Sequence, residues 1–533
     1  MKRLLMAAAL LLAGTGAAQA DPITAIIGGI GAWYASIGVV GQFLVQVGVG
    51  LLLSAASYGI QYLLSQGGKS QEQAAQTQTQ GTQVPEYDGL LEVRRAYGTV
   101  VNAGGVFFSK TVVVSPSTTA PNRWVFGLAL SEGTCDALVS VIINGVECEV
   151  DGAGVPQTAP WNTGSATYFS ASFRSGTSTQ SRDSLITTRF SSPPDDFYPD
   201  ATDRTTRWTE FRQRGVATLV LDMEWGIDAE HHTELWGVGG IPQLQAKFRG
   251  LKVYDRTDAS QDPNDATTWT WSETATVLIE DFLVAEIGGQ VARGDMADTA
   301  TKESIVIDAG YVPTLDGVQR RGRVNGVVYA SESPIDVLGA MLQQNRGILS
   351  KTSGEYVIRS DRTAEAVATI WKGQWRGAIN FQNEVDTRSA IDGVVAQFYP
   401  AARFNQAAET AYPNAALDDP NATRVTFKFS DSPPEAQRLA YAMLTQNAAG
   451  RTISGVFDIS VLAAAGKANR QLEIGDCVTF DAPSPYDDMN GLYQVDGLSI
   501  NADFTVALSL SGTSANVIDG WSPALETAFA EAA

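Results

Sequence analysis

From Tyr87 onward the apolar positions recur mostly with a period of two, in short runs cut by turn residues. Residues 91–101, 106–114, 124–130 and 216–223 read as strands on this alternation. Asn144-Gly145 has the composition of a two-residue hairpin turn, which sets Val141 opposite Cys148 and Gly154 opposite Cys135. Cys148 then shares a face with Val139, Val141, Ile143, Val146 and Val150, while Glu147 and Glu149 point away, so it reads as a core thiol. Residues 170–189, rich in Ser, Thr and Arg, read as a surface excursion.

The period then changes. After a strand at 251–254 and a polar loop, residues 275–287 form an apolar helix candidate. Ser333-Pro334 opens another helix, with Ser at the cap and Pro in the first turn, and Gly347 stops it before a strand at 356–359. Ser432-Pro433-Pro434-Glu435 opens a third helix, closed by Gly450. Strands at 452–461, 477–480, 491–495 and 504–510, with Asn490-Gly491 as a turn, predict an antiparallel meander; from about Val517 the chain reads as a short helical or frayed tail.

The amino terminus has another pattern. Lys2-Arg3, an apolar run over 4–13 and Ala18-Gln19-Ala20 before Asp21 make a signal-like segment. No charged residue occurs from Pro22 to Gly68, a stretch able to hold one or two helices of membrane-spanning length, ~20 residues each. Gly41, Gly48 and Ala55 recur every seven residues, with Gly31, Ala35 and Gly38 nearby, which suits close helix packing in a membrane or a tube plug, and Tyr58 and Tyr62 suit an interface. Three readings stay open: a signal peptide with an anchor, a hydrophobic plug released into a host envelope, or ordinary buried helices. A polar linker, Gln71 to Gln83, follows.

Composition narrows the function classes. The formal net charge of −21 leaves no basic stripe for neutralising phosphates, which argues against nucleic-acid binding of that kind. Three cysteines, Cys135, Cys148 and Cys477, form neither a disulfide framework nor a zinc spacing. The 51 glycines and 21 prolines fit a turn-rich β protein.

Candidate chemistry is sparse, and no cofactor is called for. The two histidines, His231 and His232, are adjacent; on a strand they would point to opposite faces and could not share a metal. Asp255, Asp258, Asp262 and Asp265 lie in one polar loop, and Asp195, Asp196, Asp200 and Asp203 in another. Both read as solvated loops, since neither has the EF-hand alternation. Trp208, Trp225, Trp236, Trp269 and Trp271 read as core or subunit-interface anchors ahead of a carbohydrate-binding face. No catalytic, cofactor or metal residues are assigned.

Several segments, in order, carry a resemblance. They are Gly240-Ile241-Pro242; Arg249-Gly250-Leu251-Lys252-Val253-Tyr254-Asp255; Trp269-Thr270-Trp271-Ser272; Arg323-Val324-Asn325-Gly326-Val327-Val328; and Ser333-Pro334-Ile335-Asp336-Val337-Leu338 with Arg346-Gly347-Ile348-Leu349. Asp392-Gly393-Val394-Val395 before Phe398-Tyr399-Pro400 follows, then Glu435-Ala436-Gln437-Arg438-Leu439-Ala440 and Leu472-Glu473-Ile474-Gly475-Asp476. Together, over roughly residues 87–512, they resemble tail tip proteins of long-tailed bacteriophages of the tip attachment protein J type.

The resemblance implies a multidomain baseplate-hub architecture, mainly β with α+β domains and β-barrel domains, here preceded by the apolar helical amino-terminal segment. It also implies a homotrimer that closes the tail tube, joins the distal tail protein, the tape measure protein and other tip proteins, and opens for passing DNA. The chain ends soon after the meander, so receptor recognition is expected of a separate fibre or receptor-binding protein, with transient host membrane contact by the apolar segment. The segments expected are 1–20 signal-like, 21–68 charge-free, 69–84 linker, 85–249 β-rich hub domain, 250–375 central α+β domain, 376–516 carboxy-terminal β domain and 517–533 tail. The place expected is the distal tail tip of a virion assembled in the host cytoplasm. Two rivals stand beside it: an exported or envelope-anchored adhesin, which cleavage after Ala20 would favour, and a polysaccharide-degrading tail enzyme using the aspartate loops.

Overall fold

The computed structural model describes residues 85–526, apart from 87–90, 115–121, 195–201, 226–228, 238–241, 353, 361–364, 383–392, 413–416, 418–421, 464–470 and 515–519. All of these belong to one compact unit, Ala55–Ala533. The packing positions Gly31, Gly38, Gly41, Gly48 and Ala55, the signal-like segment and the linker lie outside the described residues, as does most of the tail expected from Val517.

The architecture is mainly β, built from several sheets. The strand expected at 91–101 is two strands, β1 (Arg94–Tyr97) and β2 (Thr99–Asn102). Gly98 divides them with a φ of +66°, and a Cβ there would meet the Val324 carbonyl oxygen at 2.3 Å, so the break requires glycine. Next come β3 (Gly105–Val112), β4 (Arg123–Glu132), β5 (Cys135–Ile143), β6 (Val146–Glu149), β7 (Phe169–Arg174), helices α1 (Ser184–Arg189) and α2 (Arg204–Thr209), β8 (Val216–Glu224), helix α3 (Ala229–Trp236), β9 (Leu244–Val253) and β10 (Thr270–Trp271). One antiparallel sheet has the order β3-β4-β8-β7; the other has β10-β9-β5-β6, with β2 also on β9.

Strands β4 and β8 are buried along nearly their whole length because both of their faces are covered. Phe108, Val125, Ile186, Trp208 and Val220 form a core cluster with α1 and α2 on one side. Towards the other sheet, Phe173 of β7 meets Phe248 of β9 with ring centroids 6.4 Å apart. The expected surface excursion at 170–189 is therefore corrected. Phe169 and Ala171 alternate inward from β7, and the Asp183 side chain caps α1 by accepting from the Leu185 and Ile186 amides. Ser170, Ser172 and Arg174 occupy the second face of that strand, while residues 175–183 form a loop as expected.

The hairpin at Asn144-Gly145 has the expected pairing of Val141 with Cys148, which is buried, but the ladder ends at Ser140 and Glu149, and Cys135 lies opposite Leu251 of β9, not Gly154. Val139 and Val146 depart from the expected buried face. A register shift between Leu138 and Ser140 turns Val139 outward, and Val146 stands exposed at the turn.

The central region holds α4 (Ala275–Val284), α5 (Asp298–Ala309), the hairpin β11 (Tyr311–Thr314) and β12 (Gly317–Arg320), then β13 (Gly326–Tyr329), α6 (Pro334–Gln344), β14 (Ile348–Thr352) and β15 (Glu355–Arg359). Helix α4 ends three residues earlier than expected, and every residue from Ala275 to Leu283 is buried. It packs against α5, α6, β9 and β15, while β13 returns to pair with β1. Ser333 precedes α6 with extended backbone, but its side chain makes no cap bond.

The last region contains β16 (Ala366–Trp371), β17 (Trp375–Gln382), β18 (Val394–Phe398), β19 (Ala408–Tyr412), β20 (Thr423–Thr426), α7 (Pro433–Ala449), β21 (Thr452–Asp458), β22 (Cys477–Asp481), β23 (Gly491–Ile500) and β24 (Thr505–Gly512). Helix α7 begins and ends as expected: Ser432 accepts from the Glu435 amide, and Gly450 is left-handed. It packs on β18 and β19.

The expected meander is a six-stranded sheet of order β16-β22-β23-β24-β21-β17, in which β16 runs parallel to β22. Its two edge strands are consecutive in sequence, joined by the single turn Lys372–Gln374. So short a link reaches roughly 14 Å, whereas the edges of a flat six-stranded sheet would stand about 24 Å apart. The sheet must therefore curl into a half-barrel, whose interior is filled by Ile453, Phe457, Phe480, Tyr493, Val506 and Leu510. Phe480 lies at its centre, with Trp375 5.8 Å and Tyr493 6.0 Å away between ring centroids. Phe480→Ala should lower unfolding stability by about 3–5 kcal/mol in urea titrations of the full chain. A loss below about 1 kcal/mol would mean that the half-barrel does not depend on this packing.

Candidate functional site

Helix α4 is apolar all round and carries two carboxylates, Glu280 and Asp281, into the interior. Glu280 accepts from Arg256 Nε at 2.8 Å and faces Arg293 Nη1 at 3.3 Å; burial pushes its carboxyl up, against the pull of Arg256. Asp281 takes Arg95 at 3.0 Å and the Tyr97 hydroxyl at 3.0 Å. One turn before Glu280, the Thr276 amide donates to the buried Asp308 at 2.9 Å, and Asn345 Nδ2 and the Ser360 hydroxyl also donate to Asp308. Burial raises the Asp308 carboxyl, opposed by these hydrogen bonds.

A second ionic cluster joins the segment after β12 to α7. Arg323 pairs with Asp431, Glu435 and Glu273, and Arg438 donates to the Arg321 carbonyl oxygen at 2.6 Å. Burial lowers the Arg438 guanidinium to about 10. A third tie, Arg359 to Asp476 at 2.6 Å and to Glu473, links β15 to the half-barrel. Asp496 differs: at the β23 bulge it accepts from the Ser511 hydroxyl at 3.1 Å, and its other oxygen has no partner among the described residues. Burial pushes this carboxyl well above the usual range.

Perturbed acids mark functional sites when they face a cleft. Apart from Asp496, these are tied to arginines, hydroxyls or amides of other elements, an arrangement that can hold segments together. The sequence signal for it was two acids inside the apolar run of 275–284.

Of the histidines, aspartates and tryptophans singled out from the sequence, Asp255 and Trp271 come together in one groove, and the others do not line it. His231 and His232 lie on α3, not on a strand, and the His232 ring stands edge-on to Trp225 with centroids 4.6 Å apart. The aspartates at 255, 258, 262 and 265 each accept from the amide two residues on, at 2.8 to 3.0 Å, so they shape their own loop. Asp203 pairs with Arg207 at 2.9 Å, and Asp195, Asp196 and Asp200 lie outside the described residues. Trp208 and Trp236 are core residues, whereas Trp269 and Trp271 stack against the guanidinium groups of Arg293 and Arg249. Among the described residues no three His, Cys, Asp or Glu side chains gather to hold a metal ion, and no helix is long and apolar enough to cross a membrane.

One surface region combines a concavity with exposed apolar side chains. A groove of about 360 Å³ runs between the loop after β9, strand β10 and α5; Asp255, Thr257, Trp271, Glu273, Val306 and Arg320 are among its lining residues. Beside it the β11–β12 hairpin turns Val312 into the core but leaves Tyr311 65%, Leu315 58% and Val318 68% exposed, with Val306 of α5 at 64%. Sequence alone could not assemble it, since its parts lie on four separate elements.

No protein-family model matches the chain, and no curated protein matches it by sequence. By fold it is similar to a chain in the virion of the native gene transfer agent particle, with a TM-score of 0.57 and 14% identity over 94% of this chain and 98% of that chain. That likeness shows a shared fold. Two further structures align at lower scores: a 43 kDa tail protein of prophage MuSo2 from Shewanella oneidensis, TM-score 0.27, 10% identity, 81% of this chain and 99% of that one; and a tail protein from Neisseria meningitidis MC58, TM-score 0.28, 9% identity, 80% and 99%. Scores that low do not establish a common fold.

Glu280→Ala should destabilise the chain by about 3–5 kcal/mol, since Arg256 and Arg293 would stay buried without their partner. Urea titration checks this, and a neutral result would remove the structural role given to the pair. For Asp496 the raised folded-state pKa makes its contribution fully present below the unfolded value of about 3.9 and lost as pH rises through the folded value. Asp496→Asn should therefore raise the melting temperature at pH 8 and leave it nearly unchanged at pH 4. Parallel pH profiles for the two proteins would contradict that assignment.

Proposed function

We propose that this chain is a structural hub at the distal tip of a phage-type tail and is not an enzyme. The observation that carries the reading is the fold shared with a virion chain over 94% of this one and 98% of that one. The ordered segments over residues 87–512 that resemble the tip attachment protein J type supply the position in the tail. On this reading three copies close the tail tube, with residues 85–249, 250–375 and 376–516 as their hub domains, and they part to let the genome through.

The partners are the distal tail protein, the tape measure protein, other tip proteins and a separate fibre or receptor-binding protein. The net charge of −21 suits a surface past which DNA moves without being held. The charge-free amino-terminal stretch, with Gly31, Gly38, Gly41, Gly48 and Ala55, would serve as tube plug and transient membrane contact.

Removing the gene from its producing cell and examining the particles tests this. Particles should lack a closed tip and fail to deliver DNA, with both defects restored by the full chain, and antibody-gold against the chain should label the tail end distal to the head. Normal, infective particles from the deletion strain, or label confined to cell envelopes, would overturn the proposal.

A further inference from the structure

The groove beside the β11–β12 hairpin has a lining that suits one ligand class. Trp271 is fixed in its wall: the indole N–H donates to the Gly98 carbonyl oxygen at 3.1 Å, and the Arg249 guanidinium lies 5.1 Å from the ring centroid. Around it stand hydrogen-bonding side chains with capacity to spare. Asp255 spends one carboxylate oxygen on Thr257, and the other carries no hydrogen bond among the described residues. The Thr270 hydroxyl accepts from Gln261 at 2.9 Å, which leaves its own hydrogen to donate. Arg320 reaches Thr274 at 3.4 Å and Glu273 at 3.6 Å, and lies 5.8 Å from the centroid of the exposed Tyr311 ring at the mouth.

We propose that this groove binds one or two sugar rings of a neutral or N-acetylated cell-surface glycan. A pyranose has an apolar C–H face for an aromatic ring and an equatorial rim of hydroxyls. Those hydroxyls donate to carboxylates in short charge-assisted bonds and accept from threonine and arginine. The volume of about 360 Å³ falls in the range of small-ligand pockets. Other ligand classes fit less well. Asp255 and Glu273 would repel phosphate or sulfate esters; Ile305, Val306 and Ala309 also line the groove and suit a C–H face, while its carboxylates and hydroxyls would go unpaired against a purely apolar ligand. Sugar binding here does not rest on the tail-tip reading, since it is a property of the isolated chain.

The test uses the purified full chain, with an N-acetylglucosamine tetramer and maltohexaose as probes, read by saturation-transfer NMR and tryptophan emission. At least one probe should bind saturably. Trp271→Ala and Asp255→Asn should each weaken that binding tenfold or more. Thr257→Arg, which puts a long side chain at an exposed position of the groove, should abolish it while the chain keeps its circular-dichroism spectrum and unfolds cooperatively. Absence of saturable binding of both probes to the parent chain would overturn the proposal, as would equal binding by all three variants. Competition by an unrelated peptide as strong as by the sugars would reassign the groove to peptide binding and also overturn it.

Discussion

A helix with no side facing water constrains the elements around it. Buried throughout, α4 brings Glu280 and Asp281 into a medium where an unpaired carboxylate costs several kcal/mol. The cations that answer them come from distant parts of the chain: Arg95 from β1, Arg256 from the loop after β9, and Arg293 from the turn before α5. Asp308 does the same with neutral donors, joining the start of α4, the end of α6 and the end of β15. Apolar packing tolerates small shifts, but these contacts fix one register for each partner, because a displaced arginine would strand two charges. The ties farther out work the same way. Arg323 couples the segment after β12 to α7, Arg359 couples β15 to the half-barrel, and Asn405 donates to the Val101 carbonyl oxygen of β2 at 3.2 Å.

Much of this fold could be read from the sequence wherever the governing interaction was local. The Asn144-Gly145 turn fixed a register, Ser432 and Gly450 bounded α7, and the alternation over 216–223 gave a strand. Strand β7 was hidden because Ser170, Ser172 and Arg174 dilute its alternation, and only pairing with β8 makes it a strand. The parallel contact between β16 and β22 joins segments about a hundred residues apart and leaves no local trace. The groove was half visible: Asp255 and Trp271 stood out by residue type, but their meeting with Val306 and Arg320 depends on contacts between separate elements that leave no local trace.

The histidines show the opposite error. Their adjacency invited a strand-based argument, but both lie on the helix Ala229–Trp236, where the His232 ring stands edge-on to Trp225. The aspartate loop was read as a solvated loop, and its carboxylates accept from the loop's own amides and hold its turns. Backbone context decided what each side chain does.

Buried ionic ties hold this chain together, and its fold is shared with a chain of a virion particle. A density map of an intact particle at side-chain resolution would decide whether this chain is part of one. Three copies of this chain are expected around the tube axis at the end of the tail farthest from the head, with α4 still paired to Arg95, Arg256 and Arg293. Density at that position fitting a different chain, with this one absent from the particle, would contradict the tail-hub assignment.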